Sequence, residues 1–229
     1  MSSFVTAIIV AAGSSTRMGL DISKQFIELC GETVIRRTLR AFQNADIIDS
    51  VVVVCREQDE NEMRKIADSC GFDKVRAFAR GGSTRDESVR NGIYACDERT
   101  THFAIHDGAR PLIEREDIEN VVKAAFDCGA AALGTLVTDT IKVVDNDNII
   151  LSTPDRAALR AVQTPQVFEK SIYLRALSEG DSDGITDDCQ LVESIGERVK
   201  IIISRGQNIK LTTRNDIKTA EMIITERGF

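Results

Sequence analysis

The sequence predicts an α/β fold, a single domain built around a mostly parallel sheet with helices on both faces. Short apolar runs alternate with longer amphipathic segments, and continuously apolar runs are typical of strands buried on both sides. The runs lie at residues 7–10, 51–55, 75–78, 102–105 and 132–137, and the helical patterns lie near residues 33–44, 58–69, 84–96 and 115–128. Such alternation indicates parallel strands joined by right-handed crossovers.

The alternation changes after residue 137, where the sequence predicts a protruding β-hairpin arm. Residues 140–144 and 149–152 flank the polar turn Asp145-Asn146-Asp147-Asn148, which is a hairpin signal. We place the arm at about residues 139–155, within one domain that spans residues 1–229. After it we expect a loop at residues 163–166, helices at residues 169–178 and from Thr186, a strand at residues 199–203, and a closing helix from Thr213 to about Arg227.

Composition narrows the classes of function. The chain has 229 residues, of which 42% are hydrophobic and 28% charged, so it can bury a substantial core. Its formal net charge of -7 argues against a nucleic-acid partner, because duplex binding depends on clustered Lys and Arg. The sequence shows neither a signal peptide nor a membrane span, and its six cysteines form no C-x-x-C pair. We therefore expect a cytoplasmic protein with reduced thiols and no membrane partner.

A small-residue loop after the first predicted strand carries the strongest local signal. It reads Ala11-Ala12-Gly13-Ser14-Ser15-Thr16-Arg17-Met18-Gly19, with Lys24 shortly after it. Such a loop lets backbone N–H groups approach phosphates, and Arg17 and Lys24 can neutralise a triphosphate. Met18 excludes a Walker A loop and Ser15 excludes G-x-G-x-x-G, because each stands where the second glycine is required. The alternative is an ordinary strand-to-helix turn with two solvated basic residues.

A second loop, Gly81-Gly82-Ser83-Thr84, opens a predicted helix. Thr84 and Glu87 have the spacing of a capping box, so one interpretation is simply a well-capped helix. In the functional interpretation the two glycines expose backbone at a helix N-terminus, and the Ser88 hydroxyl reads the edge of a base. The residues alone leave both interpretations open.

A third motif, His106-Asp107-Gly108-Ala109-Arg110-Pro111, directly follows the predicted strand at residues 102–105. Ligands of open α/β sheets collect outside the carboxyl ends of the strands, so Asp107 is well placed for a magnesium ion on phosphates. Arg110 would orient Asp107 or bind a second substrate. In the alternative interpretation, Asp107 and Arg110 form an ion pair that only stabilises a turn.

The C-terminal half adds polar motifs that each have a plain structural explanation. Thr186 is a good helix N-cap, and Lys210 resembles many surface lysines. The motifs are Thr138-Asp139-Thr140-Ile141-Lys142, Asp155-Arg156, Gln163-Thr164-Pro165-Gln166, Thr186-Asp187-Asp188 and Asn208-Ile209-Lys210. Taken together and in this order, these motifs are hard to obtain by chance.

With the three loops, these motifs make the sequence resemble the 2-C-methyl-D-erythritol 4-phosphate cytidylyltransferase family from Thr6 to the closing helix. The resemblance implies a Rossmann-like nucleotidyltransferase sheet, CTP and a polyol phosphate as substrates, Mg²⁺ as cofactor, and a homodimer joined through the arm. It also implies a role in isoprenoid biosynthesis by the non-mevalonate pathway. Gln207 departs from the family pattern, in which the residue before Asn-Ile-Lys is commonly acidic and could assist Asp107.

The resemblance also implies roles for individual residues. Cytosine would be read by Ala11, Ala12, Gly13, Gly82, Ser83 and Ser88. Catalysis would depend on Arg17, Lys24 and Lys210, and the magnesium ion would be held by Asp107. The polyol phosphate would be bound by Arg110, Thr140, Arg156, Thr186 and Lys210. Because Thr140 and Arg156 flank the arm, they would enter the pocket of a twofold partner.

The implied reaction is in-line attack by the phosphate of methylerythritol phosphate on the α-phosphorus of CTP, with release of pyrophosphate. The attacking oxygen is already anionic and needs no general base, so we assign His106 to structure. The nearest alternative is a ribitol-5-phosphate cytidylyltransferase, because the two polyol phosphates are similar. A nicotinamide-dependent oxidoreductase is disfavoured by Ser15, and a non-catalytic nucleotide-binding protein is disfavoured because residues for turnover are present.

Overall fold

The computed structural model describes residues 3–13, 23–180 and 184–228. Within these ranges seven strands form one sheet in the order β11-β7-β10-β6-β1-β4-β5. In chain order they are β1 (Val5–Val10), β4 (Ser50–Cys55), β5 (Val75–Arg80), β6 (His102–Asp107), β7 (Ala130–Leu136), β10 (Arg160–Glu169) and β11 (Lys200–Ile203). All neighbours pair in parallel, except that β10 lies antiparallel between β6 and β7. The predicted mostly parallel α/β sheet is confirmed.

Helices cover both faces of this sheet and bury its apolar strands. One face carries α1 (Val34–Gln43), α2 (Glu57–Ser69) and α4 (Arg115–Cys128), and the other carries α3 (Arg85–Tyr94), α5 (Lys170–Glu179) and α6 (Asp188–Ser194). Side chains of one strand divide between the two layers. Val53 packs with the first group of helices and its neighbour Val54 with the second.

The last helix, α7 (Arg214–Glu226), packs on a separate apolar cluster that includes Leu211. It begins with a capping box, as its sequence predicts: Thr213 accepts the Asp216 N–H, and the Asp216 carboxylate accepts the Thr213 N–H. An unpredicted small hairpin of two-residue strands lies beside it, formed by β2 (Glu28–Leu29) and β3 (Glu32–Thr33). No helix in the described part of the chain is long and apolar enough to cross a membrane.

The expected loop at residues 163–166 is wrong, because these residues belong to β10. Polar Gln163 and Gln166 obscure the strand pattern, and Pro165 offers no N–H to a ladder. The pairing of β10 with β7 shifts register between Val162 and Gln166, so this stretch is an irregularity within a strand. Since β10 runs opposite to its neighbours, its first half lies at the edge where the parallel strands end.

The predicted hairpin arm is present, with shorter strands than its sequence suggests. β8 (Val143–Val144) pairs antiparallel with β9 (Ile150–Ser152). The Asp145 carboxylate closes the turn by accepting the N–H of Ile149 at 2.9 Å. Nearly every residue from 139 to 155 is exposed, so the arm packs on little else in its own chain.

Candidate active site

Four chain segments meet at the edge of the sheet where the parallel strands end. β1 ends at Val10, β5 at Arg80 and β6 at Asp107. The second half of β10 pairs with β6, so its first half extends past the end of that strand. The segments that follow these strand ends carry the three predicted motifs. Since ligands of open α/β sheets bind at this edge, the fold brings the motifs together where a site is expected.

Residues 11–13 and 81–83 lie against each other, and we call them the glycine loops. Their contact is so close that a Cβ at Gly81 would lie 2.2 Å from the Cβ of Ala12. Gly108 is also confined, because a Cβ there would lie 3.1 Å from a side chain of the first loop. Glycine at these positions lets three strand ends approach closely and leaves backbone open to a ligand.

The second glycine loop is fastened to the first turn of α3. Ser88 accepts the N–H of Gly82 at 3.0 Å and donates to the carbonyl of Thr84 at 2.8 Å. Glu87 accepts both the N–H and the hydroxyl of Ser83, while Thr84 caps the helix by accepting the Glu87 N–H. The Ser88 hydroxyl therefore donates its proton within the loop. One lone pair on its oxygen remains to accept a hydrogen bond from a base.

Lys24 lies over the first glycine loop. A Cβ at Gly13 would lie 3.8 Å from its Nζ atom, so the ammonium group is next to the backbone of this loop. Lys24 begins a short 3-10 helix, Lys24–Phe26, in which Gln25 is buried. Arg17, the other residue predicted to contact the triphosphate, lies outside the described residues.

Asp107 lies at the centre of three cations. Its carboxylate is 2.8 Å from Nζ of Lys210, 3.5 Å from Nε of Arg110 and 3.6 Å from Nε of Arg85. Burial alone would raise its pKa, but Lys210, Arg85 and Arg110 outweigh burial and hold this pKa well below its usual range. Asp107 is therefore ionised near neutral pH.

Behind Asp107, His106 forms a buried chain of hydrogen bonds. Its Nε2 atom lies 3.2 Å from the carbonyl of Arg110, which only accepts, so Nε2 carries the proton. Burial lowers the pKa of His106 to about 4, so the ring is neutral. Its Nδ1 atom accepts from the Thr164 hydroxyl at 3.1 Å, and that hydroxyl accepts the N–H of Asp107. These bonds agree with a structural role for His106.

Lys210 reaches Asp107 from a loop that is tied to two neighbours. The Asn208 side chain donates to the carbonyl of Thr164, and the Asn208 carbonyl accepts from Arg110, both at 2.8 Å. The loop thus joins β10 to the turn after β6. Lys210 itself keeps 36% of its side chain exposed, so its ammonium group can also reach a ligand.

Arg85 and Asp188 form an ion pair beside Asp107 that sequence reasoning did not assign to the site. Nη1 of Arg85 lies 2.7 Å from Asp188, and Tyr173 donates its hydroxyl to the same carboxylate at 2.7 Å. Burial alone would lower the pKa of Arg85, but Asp188 and Asp107 raise it above its ordinary value. Asp188 stands within the motif Thr186-Asp187-Asp188 and Arg85 directly follows the loop at residues 81–84, but the sequence does not reveal that they meet.

Thr186 does not cap α6, contrary to its predicted structural role. Asp187 caps this helix by accepting the N–H of Gln190 at 3.0 Å. Thr186 instead donates its N–H and its hydroxyl to Oε1 of Gln190. The aspartate lies one residue nearer the helix and a carboxylate caps well, which leaves Thr186 beside the neighbouring cavity.

A cavity of about 500 Å³ opens beside these residues, and we call it the Asp107 cavity. Its volume falls within the range of about 300–1,000 Å³ typical of small-molecule sites. Four predicted site residues line it: Asp107, Arg110, Thr186 and Lys210. Thr140 and Arg156 do not line it, and Arg156 donates to the carbonyl of Thr138 at the base of the arm. One chain therefore assembles only part of the predicted polyol site.

The described residues do not fit a magnesium ion held by the protein. Among them, no group of three or more His, Cys, Asp or Glu side chains could hold a metal ion. Asp107, the predicted ligand, faces three cations that compete with a metal for its two oxygens. The expectation that Asp107 binds the metal stays a prediction, which these competing cations disfavour.

The sequence matches the family model of 2-C-methyl-D-erythritol 4-phosphate cytidylyltransferase over residues 5–226. A relative of that name from Caldanaerobacter subterraneus subsp. tengcongensis is 42% identical over 223 residues, which cover 96% of this chain and 98% of that protein. Another from Clostridium novyi is 41% identical over 225 residues, which cover 95% of each chain. The similarity therefore extends over nearly the whole length of these proteins.

Solved structures with related names share the fold. The 4-diphosphocytidyl-2C-methyl-D-erythritol synthase of Anaerococcus prevotii superposes with a TM-score of 0.85 at 31% identity, covering 97% of this chain and 96% of that one. The 2-C-methyl-D-erythritol 4-phosphate cytidylyltransferase of Francisella tularensis gives a TM-score of 0.79 at 27% identity, covering 96% and 100%. Sequence and fold agree over the full length, and the chain belongs to the 2-C-methyl-D-erythritol 4-phosphate cytidylyltransferase family.

Proposed function

We propose that the glycine loops hold CTP and the Asp107 cavity holds 2-C-methyl-D-erythritol 4-phosphate while CMP passes between them. Family membership makes the chain a cytidylyltransferase that forms 4-diphosphocytidyl-2-C-methyl-D-erythritol and releases pyrophosphate. One observation carries our assignment of the two substrates: a small-residue surface and a cluster of cations share one edge of the sheet. The first suits a nucleotide that approaches backbone closely, and the second suits a small phosphorylated acceptor.

The chemistry requires positioning and charge more than proton transfer. An oxygen of the acceptor phosphate attacks the α-phosphorus of CTP, and the bond from that phosphorus to the leaving pyrophosphate breaks. The attacking oxygen is anionic, so no general base is needed. Lys24, beside the first glycine loop, and Arg17 would neutralise negative charge that grows on the α-phosphate and the leaving group.

In the Asp107 cavity, Lys210 and Arg110 would bind the acceptor phosphate. Both contact Asp107, so the carboxylate holds them in place. Lys210 is partly exposed and can turn to the phosphate, whereas Arg110 is tied to the Asn208 carbonyl. Thr186, which also lines the cavity, would add a hydroxyl.

We propose that Mg²⁺ is required as the counter-ion of the CTP triphosphate and is not held by Asp107. Magnesium in proteins is often bound by substrate phosphates and water with few protein ligands. Bound there, it would reduce the negative charge that an attacking phosphate meets. This proposal agrees with a carboxylate that is already surrounded by cations.

The charge of the Asp107 cavity supports a contribution from a second subunit. Among the described residues that line it, Arg85, Arg110 and Lys210 are cations, and the carboxylates of Asp107, Asp187 and Glu193 balance their charge. The described lining residues therefore offer a phosphate dianion no net positive charge. Arg156 and Thr140, delivered by another copy of the chain, would supply the missing cation and a further hydroxyl.

The surface of the arm supports the same proposal. Ile149, Ile150 and Leu151 are 62%, 58% and 64% exposed, which is unusual for large apolar side chains in succession. A two-stranded ribbon is only marginally stable alone. We therefore propose a homodimer in which each arm packs on its partner and carries Arg156 and Thr140 into the partner's cavity.

We also propose that the enzyme works in the cytoplasm. All six cysteines are unpaired in the structure. Unpaired thiols are typical of proteins in a reducing compartment.

Pyrophosphate release tests the proposed function. With Mg²⁺ and CTP, 2-C-methyl-D-erythritol 4-phosphate should support turnover, and its kcat/KM should exceed that of ribitol 5-phosphate. CTP should exceed ATP, GTP and UTP as the nucleotide. A higher kcat/KM with ribitol 5-phosphate would make the substrate assignment wrong and support the ribitol-5-phosphate alternative.

A further inference from the structure

One wall of the Asp107 cavity is apolar although the rest is charged or polar. Among the described residues that line it, Val162 from β10, Ile201 from β11 and Cys189 from α6 form this wall. Burial raises the pKa of the Cys189 thiol well above its usual range, so the thiol is uncharged and behaves as a small apolar group. An apolar wall in a site for a phosphorylated polyol requires an explanation.

Beneath this wall, Gly134 leaves the backbone of β7 without a side chain. Gly134 pairs with Val162 on one side, and β11 pairs with β7 on the other. A Cβ at Gly134 would lie 3.0 Å from Cγ2 of Ile201 and 3.3 Å from the carbonyl oxygen of Ala161. A side chain at this position would press on both neighbours, so Val162 and Ile201 flank an open strip of β7.

The apolar wall and the cation cluster line the same cavity. Arg110 and Lys210 lie at Asp107, whereas Val162, Ile201 and Cys189 come from other elements. A ligand that fits both needs a phosphate at one end and an apolar group attached to a polar chain. A plain polyol phosphate has no such group, but a methyl branch on the polyol provides one.

We infer that Val162, with Ile201 and Cys189, receives the branch methyl group of 2-C-methyl-D-erythritol 4-phosphate and makes the enzyme select the methylated polyol. This inference rests on the proposed function, and it goes further by naming the residues that distinguish the substrate from unbranched polyol phosphates. A methyl group in a fitted apolar pocket commonly gives about tenfold selectivity or more. The expected preference is therefore moderate and measurable.

The test compares two acceptors that differ only in the branch methyl, 2-C-methyl-D-erythritol 4-phosphate and D-erythritol 4-phosphate. The wild-type enzyme should show a kcat/KM about tenfold higher for the methylated acceptor. Val162→Thr keeps the shape of the side chain and replaces a methyl with a hydroxyl. It should reduce this ratio at least about threefold, through a loss with the methylated acceptor and little change with D-erythritol 4-phosphate.

Ile203→Thr is the matched control. Ile203 lies two residues after Ile201 on β11, is 41% exposed where Val162 is 40% exposed, and does not line the cavity. This variant should keep the wild-type ratio. If circular dichroism shows that Val162→Thr does not fold, Val162→Ala replaces it, and it should also lower the ratio.

The outcomes separate the inference from the proposed function. If the wild type turns over both acceptors equally, or if Val162→Thr lowers both values in parallel, the apolar wall does not read the methyl group and the inference is wrong. If the wild type turns over neither acceptor, the proposed function itself fails. Loss of selectivity in the Val162 variants alone supports the inference.

Discussion

The Asp107 cavity and the arm differ in how their functional residues are held. In the cavity, Asp107 and Lys210 contact each other, and Asn208 ties the Lys210 loop to β10 and to the turn after β6. On the arm, Thr140 is exposed, and Arg156 is exposed and donates only to backbone in the bonds that the structure shows for it. Side-chain contacts within the chain therefore fix the cavity residues, whereas the side chains of Thr140 and Arg156 are exposed.

This difference indicates which step each region serves. Side chains that are already in place need no ordering when the transition state forms, so they can lower the barrier to the chemical step. In the proposed homodimer, side chains on the arm would gain fixed positions only when the partner covers the arm, so they would depend on assembly and contribute mainly to acceptor binding. Variants of the two regions should therefore differ in which parameter they change, kcat or KM.

The largest effect is expected from Lys24→Ala. Contacts made chiefly to transition-state charge appear in kcat, so kcat should fall by at least about a hundredfold with a smaller change in the KM for CTP. Steady-state pyrophosphate release measures both values. Lys123→Ala, which removes an exposed lysine paired with Glu119 on α4, should leave both unchanged. Near-normal turnover of Lys24→Ala would mean that the first glycine loop is an ordinary turn.

A smaller effect, on KM, is expected from Arg156→Ala. A hydrogen bond to a charged group contributes about 1.5–3 kcal/mol, so the KM for the polyol phosphate should rise roughly ten- to a hundredfold. The KM for CTP should stay the same. Arg160→Ala, four residues further along, removes an exposed arginine that donates to nearby backbone and serves as the control. An increase in the KM for CTP instead would contradict the place we give the arm.

Asp107→Asn tests whether this carboxylate positions cations or binds magnesium. Removing its charge releases Lys210 and Arg110, so kcat/KM for the polyol phosphate should fall by about tenfold. The Mg²⁺ concentration that gives half-maximal activity should stay within about twofold of the wild type, because the metal is proposed to arrive with CTP. A large increase in the Mg²⁺ requirement of Asp107→Asn alone, without one in Glu193→Gln, would show that Asp107 is a ligand.

The smallest expected effect concerns the free energy of unfolding of the protein at mildly acidic pH. Burial lowers the pKa of His106 to about 4, whereas an unfolded chain has a histidine pKa of about 6.5. Between these values the unfolded state binds a proton that the folded state excludes, so stability falls as the pH falls. From pH 7 to pH 5.5 the free energy of unfolding should fall by about 1 kcal/mol, which lowers Tm by about 3 °C.

His106→Gln should remove this contribution, so its Tm should change less than that of the wild type from pH 7 to pH 5.5. The only other histidine, His102, is also buried, and burial lowers its pKa as well. His102→Gln is the matched control and should change the pH dependence less, since this ring has no part in the chain of bonds behind Asp107. Equal pH dependence in His106→Gln and the wild type would contradict a neutral His106.

Much of the fold was predictable because its strands and helices have clear periodic patterns. Continuous apolar runs predicted the parallel strands, and Thr213 with Asp216 predicted the start of α7. β10 was missed because its polar residues and Pro165 resemble a loop, and because an antiparallel partner in a parallel sheet is determined by long-range pairing.

The site was predictable where one motif supplies the chemistry and unpredictable where distant residues meet. The motifs named Asp107, Arg110 and Lys210, and the structure brings these side chains together. No local pattern shows that Arg85 pairs with Asp188, because that contact depends on how α3 and α6 lie on the sheet. For the same reason, the sequence indicated a metal ligand at Asp107 without revealing three cations around it.

The central claim, that each site combines residues of two chains, is tested most directly by mixing two variants that are each nearly inactive when the polyol phosphate is scarce. Lys24→Ala and Arg156→Ala proteins are mixed, allowed to exchange subunits, and assayed for pyrophosphate release at a polyol phosphate concentration far below the raised KM of Arg156→Ala. Mass measurement of mixed dimers serves as proof of exchange. Random pairing makes about half the dimers mixed, and each would hold one intact site, so about a quarter of wild-type activity should return. No recovery despite proven exchange would contradict the claim, because Lys24 and Arg156 would then serve the cavity of the same chain.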